Sequence, residues 1–269
     1  MPAPNGITGL VGWWTAKRGI GRDGDLVNSW HSQEGDLTLA APTAVQRPAI
    51  VRDTKLFNRE VIAYDGVDDL LTNSSLVIAA NVPIFIFVVL RYPTMEVGGN
   101  SRILNLQSLL ADRIELGTST GPSLDSIRAT YAPGTAADAI KGVDFIDDSW
   151  FVVCLASPIG TIGSEFDLLI NNEVIDTAGI GSQIGADQCH LSSPQTDEFA
   201  NTRYAEVVIY GGAGVALSAG DFSGLQDYFE DEWFKPIPSR AGTRIGVSTS
   251  PTRGRSGEPR RTIRKGRII

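Results

Sequence analysis

Nine short runs rich in Val, Ile, Leu and Phe recur between residues 60 and 210, separated by clusters of Gly, Asn, Asp, Ser and Pro. They are "EVIAY" (60–64), "PIFIFVVLRY" (83–92), "SRILNL" (101–106), "RIELGT" (113–118), "SIRATY" (126–131), "WFVVCLAS" (150–157), "EFDLLIN" (165–171), "EVIDT" (173–177) and "RYAEVVIY" (203–210). No sustained helical period interrupts them, so the connecting helices of a parallel α/β sheet are missing. The expected class is all-β, an antiparallel two-sheet sandwich or jelly roll.

Local patterns sharpen this expectation. Asn171 and Asn172 stand between two runs and tolerate the positive φ angles of a two-residue hairpin turn. "PIFIFVVL" is apolar on both faces, as a central strand covered by the other sheet and by loops would be. One helix is expected in "LSAGDFSGLQDYFEDEW": Ser218 and Asp221 form a capping-box pair, and Phe222, Leu225, Phe229 and Trp233 make one apolar stripe. Asp227, Glu230 and Asp231 face outward, and Pro236 and Pro238 end the helix.

Charge divides the chain in two. Residues 235–269 carry ten Lys or Arg against one acid, Glu258, whereas residues 1–234 carry thirteen basic and thirty acidic residues. A single domain over 1–234 and an extended basic arm over 235–269 are therefore expected, because the arm is too poor in large apolar side chains to offset its ordering entropy. The start of the sequence has no signal-peptide pattern and no stretch approaches a membrane span, which points to synthesis in the cytoplasm of a host cell. Cys154 and Cys189 are expected as reduced, buried thiols.

Three segments carry a resemblance. In "GLVGWWTA…LVNSWHSQEG", a Trp-bearing strand (Trp13, Trp14) is followed by a further Trp (Trp30) before a polar turn. In "RPAIV…REVIAYDGVDDLL", Arg47 and Pro48 precede Tyr64, Asp65, Gly66, Asp68 and Asp69. "RYAEVVIYGG…LSAGDFSGLQDYFEDEW" supplies a closing strand and capped helix. Together these resemble the laminin-G-like branch of the concanavalin A-like lectin/glucanase superfamily over roughly residues 9–234. The resemblance implies two antiparallel sheets of six or seven strands, as found in lectins, glycosidases, adhesion modules and bacteriophage virion proteins. Ser32 stands where relatives of this kind carry an acid, which puts any interaction of that acid in doubt.

Catalytic patterns are weak. The superfamily's glucanases set paired carboxylates on one strand; here Glu165 and Asp167 share a face, but Leu169 follows on it and Glu173 lies beyond the turn. His31 and His190 are the only histidines, and Cys189-His190 lacks two further zinc ligands. Asp65, Asp68 and Asp69 are candidate calcium ligands, set against a simple turn at Asp65-Gly66. No other cofactor is expected. Trp13, Trp14, Trp30 and Trp150 serve either as core or as sugar platforms, with Trp14 and Trp30 the named glycan contacts.

The expected function is a non-enzymatic structural protein of a bacteriophage virion, a capsid decoration (cement) or head-surface protein first and a tail or fibre component next. Its arm (Arg253, Arg255, Arg260, Arg261, Arg264, Lys265, Arg267) would bind neighbouring subunits in a homo-oligomer or other virion proteins. Nucleic acid is a weaker partner for the arm, which has no aromatic residue after Phe234 to stack on bases. The alternative is a carbohydrate-binding, lectin-like adhesion module.

Overall fold

A computed structural model describes residues 4–93, 101–108, 113–119, 126–131, 136–140, 148–161, 163–180, 185–192 and 199–236. One compact unit runs from Met1 to Pro236. The other, Ile237–Ile269, lies outside the described residues, and with it all seven cationic residues named for the arm.

The strands are β1 (Leu10–Thr15), β2 (Ile20–Asp23), β3 (Leu26–His31), β4 (Thr38–Ala40), β5 (Ala49–Asp53), β6 (Arg59–Ala63), β7 (Leu71–Asn73), β8 (Ile84–Arg91) and β9 (Arg102–Gln107). They continue with β10 (Arg113–Ser119), β11 (Ser126–Tyr131), β12 (Ala136–Ile140), β13 (Trp150–Ser157), β14 (Glu165–Ile170), β15 (Glu173–Gly179), β16 (Gln188–Leu191) and β17 (Arg203–Gly211). Every pairing between these strands is antiparallel, and the chain is an all-β sandwich. The first layer runs β1-β17-β8-β13-β14-β15. The second runs β12-β11-β10-β9-β16-β7-β4-β3, with β2 and β5 on β3 and β6 on β5. A short β6–β17 pairing joins the layers.

All nine runs read from the sequence are strands. Most of the eight others are short or half-polar: β2 (IGRD) buries neither of its last two residues, so no apolar alternation marks it. Asn171 and Asn172 take φ of 48° and 66°, the left-handed pair that turns β14 into β15.

β8 is buried at all eight positions, for a reason different from the one expected. Its even residues Ile84, Ile86 and Val88 enter the core between the layers, while Phe85 and Phe87 face the helix rather than loops. Helix α1 (Ala219–Phe229) starts at a complete capping box: Ser218 accepts from the Asp221 amide and the Asp221 carboxylate accepts from the Ser218 amide. Phe222 packs edge-on to Phe85, with ring centroids 5.8 Å apart, and Phe229 lies 6.0 Å from Phe87. A wider π turn over Glu230–Phe234 follows and returns Trp233 to the buried side before the chain extends at Lys235. The layers interlock through Tyr131 on β11 against Phe166 on β14, and through the Tyr204 hydroxyl on β17, which donates to the Ile103 carbonyl on β9.

An ion-pair cluster ties the β5–β6 hairpin to the first layer. Asp53 is fully buried and accepts from Arg91 and Arg203, while Arg91 and Lys55 both reach Asp148. Burial opposes the Asp53 charge, but hydrogen bonds from Arg203 and the charge of Arg91 hold its carboxyl below the usual value.

The helix contact makes a graded prediction. Phe229→Ala should cost about 3–5 kcal/mol in urea unfolding, the scale of a large-to-small core change. Ser218→Ala should cost about 1 kcal/mol through the lost cap. Equal effects from the two would contradict the packing described.

Candidate functional site

The residues named from the sequence as glycan contacts are in the wrong place for it. Trp14 and Trp30 are both 0% exposed. Trp14 alternates with Trp13 along β1 and enters the core, and Trp30 donates its indole N–H to the Thr15 carbonyl, 3.0 Å away. Neither can touch a sugar; both support β1 from behind.

Asp65, Asp68 and Asp69 do converge, with one carboxylate oxygen of each within 4.8 Å of the others. Their hydrogen bonds are those of a turn: Asp65 Oδ1 accepts from the Val67 amide, Asp69 Oδ2 accepts from the Asp65 amide, and Gly66 sits at φ 79°. Burial pushes the Asp69 carboxyl up to about 7, and the neighbouring Asp65 and Asp68 charges add to the rise. Cys154 and Cys189 are free, buried thiols. On β14, Glu165 is exposed and Asp167 accepts from the Thr177 hydroxyl.

Among the described residues a candidate site opens at the end of β1, on the layer face that carries the helix. Trp13 and Thr15 share that face, and the turn after β1 brings Lys17 and Arg18 to the rim. Ser32 fixes the opposite wall. Its hydroxyl oxygen accepts from the Trp13 amide at 2.9 Å and donates to the Glu34 carbonyl, holding the turn that carries Gln33 and Glu34. Tyr228 and Glu232 enter from the helix end, and Asn5 closes the top. The resulting cavity is about 380 Å³, within the ~300–1,000 Å³ typical of small-ligand pockets.

The aromatic wall is rigid because both polar tips are tied to one buried acid. Trp13 and Tyr228 meet edge to face, centroids 6.3 Å apart. Glu206 on β17 pairs with Thr15 on β1 and is 0% exposed. Its Oε1 accepts from Trp13 Nε1 and from the Tyr228 hydroxyl at 2.8 Å, and its Oε2 accepts from Trp233 Nε1. Burial pushes this carboxyl up to about 7 against the pull of the Trp233, Tyr228 and Trp13 donors. Lys17 is committed to Glu232 and lies 4.8 Å above the Trp233 ring, and Glu34 accepts from Asn5.

A second polar arrangement was not legible in the sequence. On the outer face of the second layer, His190 Nδ1 lies 2.9 Å from the Thr72 hydroxyl and its Nε2 3.2 Å from Gln188 Oε1. Gln188 Oε1 accepts from Gln107, whose own Oε1 accepts from Asn105, and Glu115 pairs with Arg102 and Arg113. Burial, aided by the Arg102 charge, holds His190 down to about 4, so the ring is neutral at physiological pH. Only alternation within "SRILNLQ", "RIELGT" and "QCHL" hints at this face, and its pairing of distant strands is a matter of register.

No protein-family model matches this chain, and no curated protein matches it. Solved structures do match. The receptor-binding domain of botulinum neurotoxin type G aligns with a TM-score of 0.56 at 10% identity, covering 82% of this chain and 51% of that one. Trypanosoma rangeli sialidase, in complex with a difluorinated nononic acid, aligns with a TM-score of 0.56 at 11% identity, covering 84% and 33%. The binding domain of botulinum neurotoxin DC in complex with SialylT aligns at 0.52 and 10% identity, covering 84% and 52%. The chain thus spans about half the length of the toxin domains and a third of the sialidase. At these identities the likeness establishes the sandwich architecture.

The Glu206 acid makes a signed prediction. Between its ordinary value of 4.5 and about 7 the folded chain holds a proton that the unfolded chain has released. Its contribution is therefore full below pH 4.5 and declines by about 3 kcal/mol as pH rises through 7. Glu206→Gln places an amide N–H against one of the donors and costs about 1–3 kcal/mol at low pH. The stability of wild type relative to the variant, read by urea unfolding, should fall from pH 5 to pH 8, to zero or below. A gap independent of pH would refute the buried proton.

Proposed function

We propose that this chain is a non-catalytic, lectin-like recognition module that binds carbohydrate in the Trp13–Tyr228 pocket. The single observation that carries the reading is the pocket wall: two aromatic side chains, held at fixed orientation by a buried carboxylate, beside an amide, Gln33. Sugars are recognised by flat apolar faces combined with a few placed polar groups, and rigid aromatics supply the first at little entropic cost. Solved neighbours of this sandwich include a toxin domain in complex with SialylT and a sialidase in complex with a difluorosialic acid, which supports the ligand class by analogy of fold.

Binding without turnover fits the carboxylates at this pocket. Glu232 is engaged by Lys17 and Glu34 by Asn5, while Glu206 is sealed behind the wall. Most glycosidases place two carboxyl groups about the scissile bond, an acid with either a base or a nucleophile.

A second reading, a structural subunit of a bacteriophage virion, is favoured by the charge division of the sequence and by the laminin-G-like, concanavalin A-like resemblance of its motifs. A strongly acidic body joined to a tail with ten cations against one acid suits electrostatic contacts between copies. The two readings are compatible, since a surface subunit can also hold glycan. Among the described residues no helix is long and apolar enough to cross a membrane.

Two measurements separate these roles. On a glycan array the full chain should show saturable binding that Asn5→Trp, a bulky plug at the exposed rim, removes without lowering the melting temperature; array binding unchanged by the plug would displace the pocket. Deleting residues 240–269 should leave glycan binding intact and abolish salt-sensitive self-assembly seen by sedimentation; normal assembly of the truncated chain would end the virion-arm reading.

A further inference from the structure

Helix α1 covers only part of the outer face of the first layer. Phe222 and Phe229 pack on β8, and Tyr228 reaches Glu206 on β17. β13 and β14 follow β8 in that layer and lie beyond the helix, so a cleft runs between them and α1. Its floor is one face of β13, the alternate residues Trp150, Val152, Cys154 and Ala156. At one end the cleft opens into a cavity of about 330 Å³ walled by Phe85, Leu169, Leu217 and Phe222, with Asp167 at its edge. At the other end it opens into a cavity of about 480 Å³ between Trp150, Phe234, Gln226 and Glu230. A waist of about 10 Å³ over Val152 and Cys154 joins them, sharing Phe222 with the first cavity and Gln226 with the second.

The cleft combines open apolar surface with negative charge. Ile159 follows Pro158 at the first cavity and is 57% exposed; Val174, opposite Leu169 on β15, is 53% exposed. Asp167 accepts from the Thr177 hydroxyl and Glu230 from the Gln226 amide. Neither carboxylate is paired with a cation among the described residues, and Lys235 is held by Asp231. An occupant that suits all of this brings one apolar anchor for each cavity and cations between them.

The sequence contains such a segment, "RRTIRKGRII" (260–269). We infer that the cleft receives residues 260–269 of a second copy of this chain, laid extended beside β13. Ile263 and Ile269 are separated by the same number of residues as Trp150 and Ala156, which lie one in each cavity. An extended segment alongside β13 therefore brings one isoleucine over each cavity, about 20 Å apart at ~3.3 Å per residue. Lys265 and Arg267 fall on the same face of that segment. Their apolar stems lie over the waist while their charged ends reach toward Asp167 and Glu230. This rests on the assembly reading of the arm given above and adds where on the neighbouring copy the arm docks. Residues 1–234 carry thirty acids against thirteen bases, a field that draws in a cationic segment and repels an anionic one.

A synthetic peptide of residues 259–269 tests this against the full chain, with assembly followed by sedimentation velocity and peptide binding by fluorescence anisotropy. An excess of the peptide should convert assemblies to single copies. A peptide carrying Ile263→Ser and Ile269→Ser keeps every cation and should bind at least tenfold more weakly, as the loss of two buried apolar anchors requires. In the full chain, Gln226→Trp at the waist and Ala219→Trp at the exposed edge of the first cavity should each weaken peptide binding tenfold or more at an unchanged melting temperature. Glu230→Lys should weaken it too and flatten its salt dependence. A serine-substituted peptide that binds as tightly as the parent would reduce the contact to unspecific charge and overturn the cleft. Assembly that is lost on deleting residues 240–269 but persists in both tryptophan variants would also overturn the cleft, while leaving the arm reading intact. A full chain that sediments as single copies at low salt would end the arm reading, and with it the second copy as occupant.

Discussion

One fully buried carboxylate organises the functional end of this sandwich. Glu206 sits on β17 with no exposure and accepts hydrogen bonds from β1, from α1 and from the π turn that follows it. A carboxyl group in such a place is tolerated only when its oxygens are hydrogen-bonded, and here all three donors are tips of aromatic side chains. The result is a three-way clamp: the helix cannot lift from the layer, and Trp13 cannot rotate, without stranding a polar atom. The pocket wall inherits its rigidity from that clamp. Removing the acid's partners one at a time would therefore alter the fold and the recognition surface together, which is why the variants informative about binding lie at the exposed rim.

How much of this was legible in the sequence follows from what each pattern encodes. The two-faced apolar strand β8, the hairpin at Asn171-Asn172 and the capped helix were readable because each is written in contiguous residues. The short strands β2, β4 and β7 were not, since three or four residues carry too little periodicity to separate from a turn. The site was harder still. Trp13 and Trp14 are adjacent letters with opposite fates, and which one faces the core depends on the parity of β1 relative to β17. Glu206 lies in "RYAEVVIY", a run whose single acid looks like the polar face of an edge strand; only the third dimension shows three donors closing over it. Ser32 read as a missing acid and proved to be the hydroxyl that pins the pocket's second wall to Trp13.

The acidic loop illustrates the reverse case, a pattern that is conspicuous in the sequence and modest in the structure. Asp65, Asp68 and Asp69 do come together, yet each hydrogen bond among them is one that a tight turn makes for itself. The raised pKa of Asp69 follows from its burial beside like charges. Clustering alone is thus a poor guide to function. The clusters at Asp53 and His190 likewise join residues of neighbouring strands through their hydrogen bonds and ion pairs.

A rigid aromatic wall is what distinguishes the cavity beside Trp13. Sandwiches of this architecture occur in toxin receptor-binding domains and in a sialidase, so architecture cannot select between recognition and catalysis. The wall itself is where the cavity is most specific: Trp13 and Tyr228 are fixed in orientation because their polar tips share one buried acceptor, and the rim is held by the Lys17–Glu232 and Asn5–Glu34 contacts. A rigid aromatic surface beside placed polar groups loses little entropy when a ligand ring comes to rest on it, and that is the physical basis of the recognition proposed above.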